Sequence, residues 1–247
     1  MQPFFRYGLD APPVVAVFGA ASLVCFALAF LGLPAWIPVQ VTGWIYPAIG
    51  FGSTSLGMMW ESGVGKLRIR EKLLDRLSWA GGERVLDVGC GQGLMAVAAA
   101  RRVPAGRVDG IDLWAGRDLS GNSAEAVLRN ARAEGVEARV FVQTGDMRAL
   151  PFPDASFDRV VSRYAIHNIS SAAGRDEAIE EIARVLAPGG EVLIDDIGHV
   201  GRYAALLRKA GLEVSVERRL WDVFRGVSSF GFIWPARLVG KRGTLQP

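Results

Sequence analysis

Residues Asp87 to Gly93 read Asp-Val-Gly-Cys-Gly-Gln-Gly, three glycines at alternate positions behind the apolar run Val85-Leu86. Glycine there lets the main chain turn with positive φ and lets a ligand approach backbone that any Cβ would cover. Such a loop between a strand and a helix serves several nucleotide cofactors. A dinucleotide loop asks for glycine at 89, 91 and 94, and position 94 is Leu. Asp112 ends the next apolar run, where a carboxylate can hold ribose hydroxyls, a feature shared with nicotinamide enzymes. The chain has 2 histidines, His167 and His199, and each falls just behind a later apolar run.

These residues need elements to hold them. Short β-branched runs at Arg84–Val88, Arg107–Ile111, Ala138–Gln143, Phe157–Ser162 and Glu191–Asp195 alternate with helical patterns at Leu94–Arg102, Ser123–Glu134, Ala172–Leu186 and Val200–Ala210. That alternation predicts an α/β fold in which helices cover a parallel sheet. Asn122 with Glu125 three positions on predicts a capping box, and Pro188-Gly189-Gly190 predicts a turn before the fifth strand. Two last strands are expected at Leu212–Phe224 and Arg237–Lys241. In such sheets the ligand lies outside the carboxyl ends of the strands, so the residues just behind each strand matter most.

The segment Gly145 to Ser162, GDMRALPFPDASFDRVVS, puts an Asp behind the third strand, then a proline-rich turn and a strand introduced by Ser-Phe-Asp; VLAPGGEVLI follows one helix later. With Asp87, the glycine loop and Asp112, these motifs resemble the class I S-adenosylmethionine-dependent methyltransferases in order and spacing. The resemblance covers roughly residues 66 to 247 and implies a Rossmann-like, doubly wound, seven-stranded sheet with S-adenosyl-L-methionine as cofactor. It further implies that Gly89, Cys90, Gly91 and Gly93 line the methionine and ribose portion, and that Asp87 orders the loop or reaches the amino group. Asp112 would hold both ribose hydroxyls with Leu113 beside it, Asp146 and Met147 would meet the adenine, and Arg163 would lie near the methionine end. Asp146 as a turn cap and Asp87 as a purely structural carboxylate are the competing readings.

Within that family, PFPDASFDRVVS followed by His167 is similar to the ubiquinone/menaquinone C-methyltransferases and related small-molecule enzymes. Residues 162 to 165 are Ser-Arg-Tyr-Ala, so the Asn/Asp-Pro-Pro-aromatic signature of the amino-methylating nucleic-acid and protein enzymes is absent. Methyl transfer to an alcohol, phenol or protonated amine needs a base as well as an in-line nucleophile. His167, with Tyr164 nearby, is the candidate for that base or for orienting the acceptor; a packing role at the strand end is the alternative. His167, His199, Asp195 and Asp196 show no metal-ligand spacing, and no metal is expected. Trp114, Trp221 and Phe224 are candidate walls of an acceptor pocket.

In front of this domain, Ala11 through Trp60 contains no Asp, Glu, Lys, Arg or His. Pro12 to Leu33 would form a helix about 33 Å long, enough to cross a bilayer core. Val39 to Met59 is also uncharged, with Trp36, Trp44, Tyr46 and Trp60 near its ends, as at a lipid interface. A cleaved signal peptide and a buried pair of core helices are the competitors; the first would have a far shorter apolar core, and the second a polar face.

The expectation is therefore a two-helix transmembrane hairpin over residues 1–62, an amphipathic connecting helix over 63–80 and a methyltransferase domain over 81–247. Lys66, Arg68, Arg70 and Lys72 follow the second span, which orients both termini to the cytoplasm and offers a basic stretch to anionic headgroups. The basic pI of about 9.1 is mostly accounted for by that stretch, and no nucleic-acid module is present. Cys25 falls in the first span and Cys90 in the glycine loop, so no disulfide is expected. The resulting expectation is a multi-pass cell-membrane methyltransferase acting on a small-molecule or lipid-like acceptor; a membrane-tethered cofactor-binding scaffold without turnover is the rival from another class.

Overall fold

A computed structural model describes residues 4–31, 41–115, 119–218 and 235–244. The chain divides into two compact units, Met1–Arg68 with Ala115–Asn122, and Ile69–Trp114 with Ser123–Pro247.

In the first unit, α1 (Pro12–Leu31) and α2 (Val41–Trp60) pack antiparallel. Neither helix carries a charge, so hydroxyls and close packing join them. Ser22 Oγ donates to Ala48 O at 2.7 Å and Ser55 Oγ to Val15 O at 3.0 Å. The rings of Phe18 and Phe51 lie 5.8 Å apart. A Cβ at Gly52 would come within 2.8 Å of Ser22 Oγ, so glycine lets the helices approach here.

Among the described residues α1 is the one helix long and apolar enough to cross a membrane, with a mean hydropathy of 2.3 over its 19-residue core. The second expected span does form a helix, but Gly43, Gly50, Gly52 and Gly57 with Ser53, Thr54 and Ser55 keep its composition short of that mark.

A π-helical turn (Glu61–Gly65) follows α2 and leads into α3 (Lys66–Leu74). Lys66 does not face outward as the expected basic stretch requires. It is 2% exposed, and Nζ donates to Tyr7 O at 2.7 Å and Gly8 O at 2.6 Å and pairs with Asp10 at 3.2 Å. Arg70, within the second unit, is likewise buried, against Glu71 and Glu134. Only Arg68 and Lys72 of the four are exposed, because burying a cation demands a partner and both of the others found one.

The second unit is built on β1 (Arg84–Val88), β2 (Arg107–Asp112), β3 (Val140–Thr144), β4 (Phe157–Arg163), β5 (Leu186–Asp196), β6 (Leu212–Glu217) and β7 (Ala236–Arg242). They form one mixed sheet in the order β3-β2-β1-β4-β5-β7-β6, parallel except that β7 runs against both of its neighbours. Between strands lie α4 (Leu94–Arg102), α5 (Ala124–Ala133), α6 (Ala172–Val185) and α7 (Val200–Lys209).

Alternate residues of each central strand feed opposite cores. Val160, Val192 and Ile194 pack with Ile179 and Ile182 of α6, whereas Val161 and Leu193 share a core with Leu73 of α3 and Val97 of α4. Both faces are therefore buried, which is why the strands read as unbroken apolar runs.

Several boundaries differ from expectation; the connecting helix, expected over 63–80, is confined to Lys66–Leu74. α5 is capped by Ser123, whose Oγ accepts from Ala126 N at 3.2 Å, one residue later than the Asn122 box. β5 begins at Leu186 and runs through Pro188-Gly189-Gly190, where Gly189, at φ 75°, sits inside the strand instead of in a separate turn. β6 ends at Glu217, and the remainder of the run expected to Phe224 lies outside the described residues from position 219.

Candidate functional site

β1 and β4 are neighbours at the centre of the sheet, with β2 and β3 to one side and β5, β7 and β6 to the other. Their carboxyl ends flank the point where strand order reverses, and the expected residues collect there.

On the β1 side the loop is held by main-chain donors. Gly89 N and Cys90 N both donate to Ile111 O, at 2.8 and 3.1 Å, and Gly93 N donates to Cys90 O at 2.7 Å. Gly89, Gly91 and Gly93 take φ values of 71°, 54° and 81°, in the left-handed region that favours glycine. The glycines have separate tasks. A Cβ at Gly89 would lie 2.3 Å from Ala165 Cβ, so its absence lets the segment behind β4 close onto the loop. A Cβ at Gly93 would meet Val127 at 2.6 Å, so this glycine serves the packing of α4 on α5.

Asp112 receives Gly91 N at 2.8 Å on one oxygen and Trp114 N at 2.6 Å on the other. Leu113 beside it is 61% exposed, an apolar side chain presented outward next to this acid. Trp114, at φ 60°, is pinned a second time, its indole N–H donating to Thr144 Oγ1 at 2.8 Å.

Asp87 is 1% exposed and accepts from Ala96 N, at the start of α4, at 2.8 Å. Burial pushes its carboxyl up to about 7, against the donation from Ala96, and the charge of Asp112 adds to the rise. Burial also pushes the Cys90 thiol up, with Asp87 and Asp112 contributing, and the side chain is 5% exposed. Asp146 is gripped by Arg148, with contacts of 3.0 and 2.9 Å from Nε and 2.5 Å from a terminal nitrogen, which hold its carboxyl below the usual range. Met147 packs on the core and reaches toward Gly89.

On the β4 side the groups are side chains. Arg163 stacks over the ring of Tyr164 at 4.3 Å and contacts Asp195 at 3.3 Å, while Arg237 of β7 contacts the other oxygen of Asp195 at 3.2 Å. All three are nearly buried, so the Arg163 guanidinium, expected near the methionine end, is engaged by Asp195. Tyr164 adopts φ 51° and donates its N–H to Asp195 O at 2.9 Å.

His167 closes a short 3-10 turn (Ile166–Asn168) directly behind Ala165, the residue that abuts Gly89. Its Nδ1 is 2.5 Å from Asp196 Oδ1, and its main-chain N–H donates to Asp196 Oδ2 at 3.1 Å. Asp196, 1% exposed, also accepts from Ile197 N at 2.8 Å.

Sequence reasoning weighed Asp196 only as a metal ligand and missed it as the partner of His167. The signal available was an acid ending the strand next to the one that His167 follows. Among the described residues no group of three or more His, Cys, Asp or Glu side chains could hold a metal. His199 caps α7 at φ 59° and is exposed. Trp221 and Phe224 lie outside the described residues.

A central glycine loop, a ribose-type acid behind β2 and an antiparallel seventh strand define a nucleotide-cofactor fold of the class I methyltransferase type. The comparisons agree: residues 85–190 match the family profile described as a methyltransferase domain. Methyltransferase GfsG of Streptomyces halstedii is 34% identical, over 60% of this chain and 59% of its own length. The demethylmenaquinone methyltransferase of Lactobacillus johnsonii is 31% identical, over 50% of this chain and 47% of its own. The chain thus spans about half the length of the curated relatives it matches.

The solved structure of a geranyl diphosphate C-methyltransferase from Streptomyces coelicolor superposes with a TM-score of 0.57 at 17% identity, covering 77% of this chain and 84% of the other, and shows the shared fold. This chain carries a class I S-adenosylmethionine-dependent methyltransferase domain.

Proposed function

We propose that the protein is a membrane-associated methyltransferase that moves the methyl group of S-adenosylmethionine to a small or lipophilic acceptor reached from the cytoplasmic face. The observation that carries the reading is the fit of the β1–β2 edge to this cofactor. Gly91 holds a conformation that suits glycine, Asp112 ends β2 beside the glycine loop and accepts from Gly91 N, and Leu113 stands exposed next to it. When bound, the cofactor supplies an electrophilic methyl on a sulfonium. Asp112 would hold the ribose hydroxyls, Asp146 and Met147 the adenine, and Asp87 the cationic amino end, with the glycine loop and Cys90 lining the passage between. His167 and Tyr164, behind β4, would face the acceptor, His167 as base or orienting group.

The membrane part of the reading rests on α1. Val17, Leu23 and Phe30 are 66%, 72% and 78% exposed, and only 22% of the apolar stretch is buried, unlike the core helix of a soluble domain. Such a surface suits hydrocarbon. In this reading α2 completes the hairpin, the termini lie in the cytoplasm and the acceptor is lipid-like. The demethylmenaquinone relative lends support to a lipophilic acceptor.

Calorimetry on the full chain in detergent tests the cofactor half: saturable binding of S-adenosylmethionine or S-adenosylhomocysteine is expected, and no heat at millimolar ligand would refute it. Flotation with liposomes tests the other half, with the protein expected in the lipid fraction even at high salt.

A further inference from the structure

Behind β2 the chain changes units within one residue. Trp114 and Ser123 belong to the second compact unit, and Ala115–Asn122 between them fold with the first. Trp114 therefore has two tasks. Its main-chain N–H donates to Asp112 Oδ1 at 2.6 Å and its indole to Thr144 Oγ1 at 2.8 Å, which sustain a φ of 60° that a bulky residue rarely adopts. The same residue hands the chain to the first unit.

Inside that unit the segment is caught by the residues in front of α1. Leu119 bridges Asp10 in antiparallel fashion, Leu9 N donates to Ser120 Oγ at 2.8 Å, and Ser120 N donates to Leu9 O at 3.2 Å. Residues 7–10 are themselves locked to the end of the hairpin. Asp10 N donates to Ser62 Oγ at 3.1 Å, and the buried Lys66 Nζ reaches Tyr7 O, Gly8 O and Asp10 Oδ1. Releasing that ammonium would strand a buried charge, so the lock is costly to open.

A continuous series of bonds thus runs from Lys66 through Leu9 and Ser120 to Trp114 N and the carboxylate of Asp112. A loop fixed at both ends in one unit and clasped at Leu119 and Ser120 within the other has little freedom left to lose when a ligand binds at Asp112. With the clasp open, the ligand must order the loop as well.

We propose that the clasp of Leu9 and Asp10 on Leu119 and Ser120 sets the affinity for the cofactor, so that the chain binds S-adenosylmethionine tightly only while its N-terminal hairpin unit is folded. In the membrane reading, a chain whose hairpin has not found lipid binds the cofactor weakly. This inference rests on the proposed placing of the cofactor ribose at Asp112 and adds the regulation of that site by the first unit. Because linkage is reciprocal, the cofactor tightens the clasp by the same factor as the clasp tightens the cofactor.

Two measurements on the full chain in detergent test it. In the first, amide hydrogen exchange of the wild type is followed with and without S-adenosylhomocysteine. The Leu9 and Asp10 amides should exchange about tenfold more slowly with the ligand, within the usual range for coupled sites. Unchanged exchange at these amides in protein that binds the ligand overturns the proposal and leaves the cofactor reading intact. Failure to bind at all overturns both.

In the second, calorimetry with S-adenosylhomocysteine compares variants of the clasp. Lys66→Met should weaken binding about tenfold, and Ser120→Ala, which removes one hydroxyl and leaves Lys66 in place, about threefold, as for one neutral hydrogen bond. Either loss should vanish when Asp112→Ala is already present, since the clasp acts through Trp114 on Asp112. An equal loss in the two backgrounds marks a merely structural role and overturns the proposal. Wild-type affinity in a Lys66→Met protein that still melts cooperatively does the same. Should Lys66→Met fail to fold, wild-type affinity in Ser120→Ala is the overturning result.

Discussion

The two halves of the catalytic sheet edge are made of different material. On the β1–β2 side the glycine loop is held by main-chain donors: Gly89, Cys90 and Gly91 amides turn back on Ile111 O and Asp112, and the glycines supply the turns. On the β4–β5–β7 side the contacts are between side chains, with Arg163 and Arg237 on Asp195 and His167 on Asp196. A backbone cradle suits a cofactor whose shape never changes. Side-chain clusters suit a reaction partner that differs from one enzyme to the next, since they can be exchanged without refolding the loop. The comparison predicts that binding and turnover separate along the line between β1 and β4.

The largest expected effect is on the β4 side. His167→Ala should lower methyl transfer by about 10²–10⁴-fold, the usual contribution of a general base, with cofactor affinity unchanged by calorimetry. On the β1 side, Asp112→Ala should weaken cofactor binding by roughly 1.5–3 kcal/mol per charged hydrogen bond lost, or about tenfold or more. That loss should appear in KM for the cofactor before it appears in kcat.

The contact between the halves gives the next effect. Gly89→Ala combines a φ of 71° with a Cβ 2.3 Å from Ala165 Cβ, and should cost about 1–3 kcal/mol for the backbone alone. Adding Ala165→Gly should recover the steric part and leave the backbone part, as measured by thermal unfolding in detergent.

The smallest effect is a slope. Asp87 is raised from 3.8 to about 7 by burial, so its neutral form suits the folded protein without cofactor. Stability from this group is full below its unfolded pKa and is lost as pH rises through about 7. Asp87→Asn should flatten that fall in melts taken from pH 4 to 8, and should weaken cofactor binding most at the alkaline end, where the wild-type carboxylate is charged. A melting profile that keeps its slope in Asp87→Asn would remove Asp87 as its source.

Much of the β1 side was legible in the sequence because its signals are local. Gly89, Gly91 and Gly93 announce positive φ, and Asp112 ends, and Asp146 closely follows, strands that β-branched runs mark out. The β4 side was less legible, because Asp196 meets His167 only once β5 lies beside β4 in register, with Arg163 opposite Asp195. The direction of β7 was hidden for the same reason, as strand pairing is not written in either strand alone.

Lys66 and Arg70 read as a surface stretch because charge is usually solvated; Lys66 turned inward onto the Tyr7 and Gly8 carbonyls, and Arg70 onto Glu134. The second apolar run was read as a span from its lack of charge, yet its glycines and hydroxyls lower its hydropathy without adding any charge. The start of β5 was misplaced because Pro-Gly-Gly is turn chemistry by composition, and here the strand carries it through.

One comparison tests the central claim most directly: S-adenosylmethionine binding measured side by side for His167→Ala and Asp112→Ala in this chain. The account predicts a wild-type isotherm for His167→Ala, which has lost turnover, and a weakened one for Asp112→Ala. Loss of binding in His167→Ala with a wild-type isotherm in Asp112→Ala would contradict the division of the site and the placing of the cofactor along β1 and β2.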